Sequence, residues 1–209
     1  MSRFYEEKLP EGYSQALVVD AADRKTVLFM RRAASLLSAA LFCVFFFLFA
    51  FPRIREIRAG FSLFKCVVFV LSYYLYIVLH ELTHGLVYKL LTKRKLAFGF
   101  QPPVAYCGVP DLYLYRITSL LSAAAPFTVF TVFFAVLFFL LNDPFSKSLV
   151  LALLALHAAG CTGDLYGAGL LLFKYTDPAS LRKDTGPKQI YYTKDPIRPD
   201  ETKQQEGGK

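Results

Sequence analysis

His80, Glu81 and His84 lie in the string His-Glu-Leu-Thr-His, which closes an apolar run from Phe69 to Leu79. On a helix, residues four apart project from one face one turn apart, so both imidazoles can meet a single Zn²⁺ while Glu81 faces the attacking water. The string by itself occurs in unrelated proteins, and its setting is what gives it weight. Ionisable side chains at membrane depth cost roughly 2.5 kcal/mol or more each on insertion scales, so those found there mark function.

Catalytic zinc takes three protein ligands and keeps one position open. The third histidine of soluble relatives of this motif, six residues beyond the second, is missing because that position is Leu90. The third ligand must come from another apolar segment, and the last of these offers His157 and Asp164. Counting about 1.5 Å per residue from the outer end of each span puts His80 and His84 at about 21 and 27 Å, and Asp164 at about 22 Å. Asp164 therefore matches the motif in depth. His157 falls about 10 Å further out, where it suits a hydrogen bond to substrate or to a ligand, and coordination by it requires a tilt or a break in the helix. For Asp164 the competing readings are a structural hydrogen bond and a proton-path carboxylate.

Four apolar blocks must position these residues. They run from about 33 to 51, 66 to 88, 117 to 141 and 149 to 173, and each is long enough to span a bilayer as a helix. The expected architecture is an all-α membrane protein of about four transmembrane helices. Residues 1–32 form an N-terminal segment at the membrane surface, 33–175 the four-helix metalloprotease-like domain, and 176–209 a tail that is disordered from about Pro196 onward. Between the second and third spans, residues 93–116 are rich in Pro and Gly and read as two short extended pieces on either side of Pro102-Pro103, hairpin-like, or as a plain interfacial loop. An extended piece there could hold a peptide substrate by its strand edge. Pro126 follows Ala123-Ala124-Ala125, which predicts a kink beside a close helix contact. Gly160, Gly163, Gly167 and Gly169 surround Asp164 and would let its helix approach a neighbour closely.

The 24 Lys and Arg are distributed unevenly. The N-terminal segment, the middle loop and the tail carry most of them, which puts both termini and the motif end of the second span in the cytoplasm by the positive-inside bias. The net charge of +8 is explained by basic residues beside anionic lipid headgroups. With no nucleic-acid motif and no basic stripe with interleaved aromatics, nucleic acid is excluded as a partner. Cys43, Cys66, Cys107 and Cys161 have no paired spacing, which argues against a disulfide framework or a thiolate zinc site. The expected partners are the lipid bilayer and a protein or peptide substrate.

His80-Glu-Leu-Thr-His-Gly85, Ala105-Tyr106-Cys107, Ala125-Pro126 and His157-Ala-Ala-Gly-Cys-Thr-Gly-Asp164 together resemble the putative zincin peptidase family of bacterial integral-membrane proteins. The resemblance runs over roughly residues 60 to 192, including Gly186 to Tyr192. That family is similar to site-2 proteases in placing His-Glu-x-x-His on one membrane helix and an Asp on a later one. It implies His80, His84 and Asp164 as zinc ligands and Glu81 as catalytic base. The Leu-Asp-Gly of site-2 proteases reads Gly163-Asp164-Leu165 here, so their substrate-binding residues do not transfer one to one. His157, Tyr106 and Tyr166 are candidates for an auxiliary role.

Three functions compete for these residues. The first is a membrane zinc metalloprotease. The second is a non-catalytic zinc-binding scaffold, in which His157 would close the site as a fourth ligand. A third, a small transporter with a proton path, lacks the repeat halves such proteins show.

Overall fold

Capping residues set where the long helices begin. Asp23 accepts from the Thr26 N–H at 2.8 Å and starts α1 (Arg24–Phe45). This helix continues through a wider turn at Phe46–Ala50 and a tighter one at Phe51–Arg53 into α2 (Ile54–Ala59). Ser62 caps α3 (Leu63–Thr92), which ends where Lys93 turns left-handed at φ 56°. The chain then forms a hairpin of β3 (Ala97–Gln101) and β4 (Val104–Gly108), and β5 (Tyr113–Tyr115) leads directly into α4 (Arg116–Leu140). Asp143 caps α5 (Pro144–Gly160), with Pro144 in the first turn, where its missing N–H costs nothing. Next comes α6 (Thr162–Gly169), which runs on as a wider turn to Lys174.

The computed structural model describes residues 4–101 and 104–194. Pro102-Pro103 and the stretch from Pro196 onward, expected as a turn and as disorder, lie outside the described residues. Among the described residues, three helical stretches are long and apolar enough to cross a membrane: Arg24–Ala59, Leu63–Thr92 and Arg116–Leu140. A fourth exists if α5 and its continuation to Lys174, bent by 43°, are taken as one. Their outward residues stay apolar, with Leu71, Leu75, Phe139 and Leu140 all exposed. Between α3, α4 and α5 the core is built from Tyr76, Phe130, Phe134, Val150 and Leu153.

The all-α expectation is overturned. Two-residue β1 (Tyr5–Glu6), β2 (Ser14–Asp20), β6 (Leu181–Asp184) and β7 (Lys188–Thr193) join β5 in a five-stranded antiparallel sheet, ordered β1-β5-β6-β7-β2. The ladder pairs the N-terminal segment with the stretch after the last helix, as Ser14 opposite Thr193 and Asp20 opposite Lys188. The N-terminal segment, the connection after α3 and the stretch after α6 therefore gather at one end of the helices.

This sheet hid in the sequence because its buried positions are partly polar. Arg182 and Asp184 are buried, and they satisfy each other and a helix residue. The Arg182 guanidinium donates to Asp184 Oδ2 at 3.2 Å and to Tyr88 Oη at 2.8 Å, while Tyr88 Oη donates to Asp184 Oδ2 at 2.6 Å. Tyr88 stands one turn beyond His84, so this network ties the sheet to the motif helix. Replacing Arg182 with Ala leaves a buried carboxylate without its cation and is expected to cost about 3–5 kcal/mol. A lowered thermal unfolding midpoint of the purified protein is the readout; an unchanged midpoint would mean that the sheet does not hold the helix end.

Candidate metal centre

An unbroken α3 carries His80 and His84 on one face, with ring centroids 5.0 Å apart. Both are buried, at 7 % and 8 % exposure. The third member arrives because the last apolar segment is broken. α5 ends at Gly160, Cys161 adopts φ −75° and ψ 1°, and α6 leaves at the 43° bend. Asp164 lies in the first turn of α6, where a carboxylate is favoured by the helix dipole. One of its oxygens, Oδ2, is 3.2 Å from His80 Nε2, and the other, Oδ1, is 3.3 Å from His84 Nε2. The expected meeting of His80, His84 and Asp164 is therefore present as geometry.

The glycines around Asp164 divide in their use. A Cβ on Gly160 would sit 3.6 Å from Tyr76 Oη on α3, and one on Gly167 would lie 3.2 Å from Gln189 Oε1 of the sheet. Gly163 and Gly169 face open space. Close approach to α3 thus involves Gly160, while Gly167 makes room for β7.

Behind the histidines, each second ring nitrogen has a partner. His84 Nδ1 is 2.9 Å from the main-chain carbonyl of Ser122 on α4. That carbonyl is available because the residue four further on is Pro126, which has no N–H to return to it. A carbonyl only accepts, so His84 Nδ1 carries a hydrogen, and a neutral ring then turns its Nε2 lone pair toward Asp164. Pro126, inside a continuous α4, thus exposes the acceptor that sets the tautomer of His84.

His80 Nδ1 is 3.1 Å from Tyr76 Oη, and the same hydroxyl is 2.8 Å from His157 Nδ1. His157 Nε2 lies 3.1 Å from Thr131 Oγ1 and 3.3 Å from the Phe127 carbonyl on α4. His157 therefore stands one residue behind His80, with both nitrogens engaged, and is not directed at Asp164. The break at Cys161 comes after His157, so His157 meets Tyr76, one turn before His80, and it is Asp164 that the break redirects. His80, His157 and Cys161 also offer ligand atoms close enough for a metal, but the Tyr76 hydroxyl already joins the two imidazoles. Tyr76 was not singled out in the sequence; its spacing of four before His80 was the available signal.

Glu81 is partly buried next to this centre, and its carboxylate lies within electrostatic reach of His84 and Asp164 and beside the main-chain N–H of Cys107 on β4. The hairpin reaches this position by packing on Gly85, where a Cβ would come within 2.8 Å of the Phe98 ring and 3.3 Å of Cys107 Sγ. With Cys107 turned toward α3, strand alternation turns Tyr106 to the opposite face. Its ring rests against Gly99 and Gly186, away from the motif. Tyr166 makes an edge contact with Phe29 of α1 at 5.8 Å. Two of the three auxiliary candidates are thus placed elsewhere, and His157 is connected.

Two imidazoles and one carboxylate suit zinc in a site that leaves a position open. The His84 lone pair facing a carboxylate oxygen fits a cation between them. Comparison with known protein families matches residues 73–177, just over half of the 209, to a family described as putative zincin peptidase. Comparison with curated proteins and with solved structures gives no match.

Proposed function

The chain belongs to the putative zincin peptidase family, and on that premise we propose a membrane-embedded zinc metalloprotease whose site is His80, Glu81 and His84, completed by Asp164. Family membership supports a zinc peptidase in general. The observation that carries the finer reading is the single carboxylate of Asp164, 3.2 and 3.3 Å from the two motif histidines.

In this reading His80, His84 and Asp164 hold the ion, which when bound lowers the pKa of water toward about 7 and polarises the peptide carbonyl. Glu81 takes the proton of the attacking water and delivers it to the leaving amine nitrogen. The scaffold alternative needs a fourth protein ligand, and His157 is occupied by Tyr76, Thr131 and Phe127. The enzyme reading is favoured for that reason. Because Cys107 N–H points toward Glu81, it points away from β3, and alternation places the main-chain groups of Ala105 on the same outer edge of β4. A peptide added there as a strand would lie extended beside the catalytic carboxylate. The substrate is accordingly a protein or peptide segment that can unfold locally. The positive-inside bias of the basic loops supports a site and both termini on the cytoplasmic side of the bilayer.

The test is zinc content and turnover of the purified protein, with the Glu81→Gln and Asp164→Ala variants beside the wild type. A further variant probes the support behind His84. Pro126→Ala restores an N–H that can reclaim the Ser122 carbonyl, and it is expected to weaken zinc binding by about 10-fold or more, as removal of a group behind a ligand does. Competition against a chromophoric chelator reads this directly; wild-type affinity in the variant would remove Pro126 from the site.

A further inference from the structure

Tyr76 and His157 take part in no step of the hydrolysis described above, yet Tyr76 is 6 % exposed and His157 fully buried. Polar contacts link them to His80 in a chain whose far end is fixed. Phe127 O is a main-chain carbonyl, which can only accept, and it lies 3.3 Å from His157 Nε2. In a neutral ring, that nitrogen carries the hydrogen and Nδ1 is bare. Thr131 Oγ1, 3.1 Å from Nε2, accepts from the same N–H.

Tyr76 Oη, 2.8 Å from the bare His157 Nδ1, must then be the donor. A phenol has one hydrogen, and having given it, Tyr76 Oη can only accept from its second neighbour, His80 Nδ1 at 3.1 Å. His80 Nδ1 therefore carries the ring hydrogen of His80. Its Nε2, 3.2 Å from Asp164, can then give a lone pair to a cation held between ring and carboxylate. Cys161 Sγ, 3.6 Å from His157 Nδ1, is a weak donor into the same bare nitrogen and agrees with this direction.

We infer that His157 and Tyr76 form a one-way hydrogen-bond relay that sets the tautomer of His80, and that both are positioning residues for a metal ligand. The inference rests on the reading of His80 as such a ligand. A relay running the other way would hold the hydrogen on His80 Nε2 against Asp164, and a metal would have to displace it together with the direction of the whole relay. Ser122 O on His84 and Phe127 O at the end of the relay are both acceptors supplied by α4, so one helix backbone determines both histidines.

The direction of the relay makes the variants behave unlike packing changes. In His157→Leu the Tyr76 hydroxyl loses its acceptor and is free to donate to His80 Nδ1, which moves the His80 hydrogen to Nε2. In His157→Gln the amide oxygen can accept from Tyr76 while the amide nitrogen donates to Phe127 O, so the direction survives. Tyr76→Phe removes the reversed donor together with the relay.

The experiment uses the full chain purified in detergent, with zinc affinity measured against a chelator and ¹⁵N NMR of histidine read in the metal-free protein. Expected are an Nε2–H tautomer for wild-type His157, whose Nε2 faces the Phe127 carbonyl, zinc binding about 10–100-fold weaker in His157→Leu, and recovery of most of that loss in His157→Gln. The double variant Tyr76→Phe/His157→Leu should bind zinc no worse than His157→Leu alone, whereas independent packing losses would add. An Nδ1–H tautomer of His157 in the wild type, equal losses for Leu and Gln, or additive losses would overturn the relay. Zinc binding by none of the proteins, the wild type included, would overturn the metal reading, and the tautomer in the metal-free protein would still decide the relay.

Discussion

Glu81→Gln keeps its zinc and loses peptide cleavage by about 10²–10⁴-fold, the range that a general acid–base group contributes. The amide has the shape of the carboxylate and can still accept from the Cys107 N–H beside it, so the hairpin keeps its seat on α3. His80, His84 and Asp164 are untouched, and zinc content should equal that of the wild type. What is lost is the basic oxygen. An amide cannot take the proton of the attacking water, and therefore has none to pass to the leaving nitrogen. A thousandfold loss corresponds to about 4 kcal/mol of barrier, far more than the repacking of one isosteric side chain would produce. The paired measurement is metal content by atomic absorption and turnover of a peptide substrate in detergent. Equal turnover by variant and wild type would sink the enzyme reading and leave the zinc-binding scaffold, which has no use for a base at this position.

The helices that carry the site were legible because a bilayer-spanning segment announces itself by composition. The uncharged run before His80 lies in α3, and the run after Arg116 is α4. The juxtaposition of His80, His84 and Asp164 was also legible, since a fixed rise per residue converts position in a span into depth. The same arithmetic put His157 further out than the motif, and there it meets Tyr76, one turn before His80; the bend at Cys161 comes after His157 and redirects Asp164, and neither Gly160 nor Gly163 is distinctive enough in sequence to mark that break.

The sheet was not legible for a different reason. Strand periodicity is read from apolar residues alternating with polar ones, and Leu181–Asp184 reads Leu-Arg-Lys-Asp, with Arg182 and Asp184 buried through their bonds to each other and to Tyr88. Three of its four ladders join remote strands, as Tyr5 with Leu114 and Leu17 with Tyr191, and the short turn through Gly186 between β6 and β7 announces no more than one hairpin. The acceptor carbonyls of Ser122 and Phe127 belong to the backbone and have no signature of their own. Only Pro126, four residues after Ser122, hints that one of them is free.

Asp164→Ala loses its zinc. Removing a group that merely supports a ligand costs about 10–100-fold in affinity, and removing one of three ligands should cost more, enough to leave the purified variant below one zinc per chain. No nearby group is positioned to replace it. His157 would have to release both Tyr76, at 2.8 Å, and the Thr131 and Phe127 contacts on its other nitrogen. Cys161 Sγ is directed at His157, 3.6 Å away, and Glu81 would surrender its role as base by coordinating. Asp164→Asn separates charge from shape, because the amide fills the same space between the two histidines without the negative charge. If Asn folds like the wild type but binds zinc as poorly as Ala, the carboxylate acts as a ligand and not as a strut between α3 and α6. If Asn keeps full zinc, the ion is held without Asp164, and the two histidines must find their third partner by rearranging the relay behind His80.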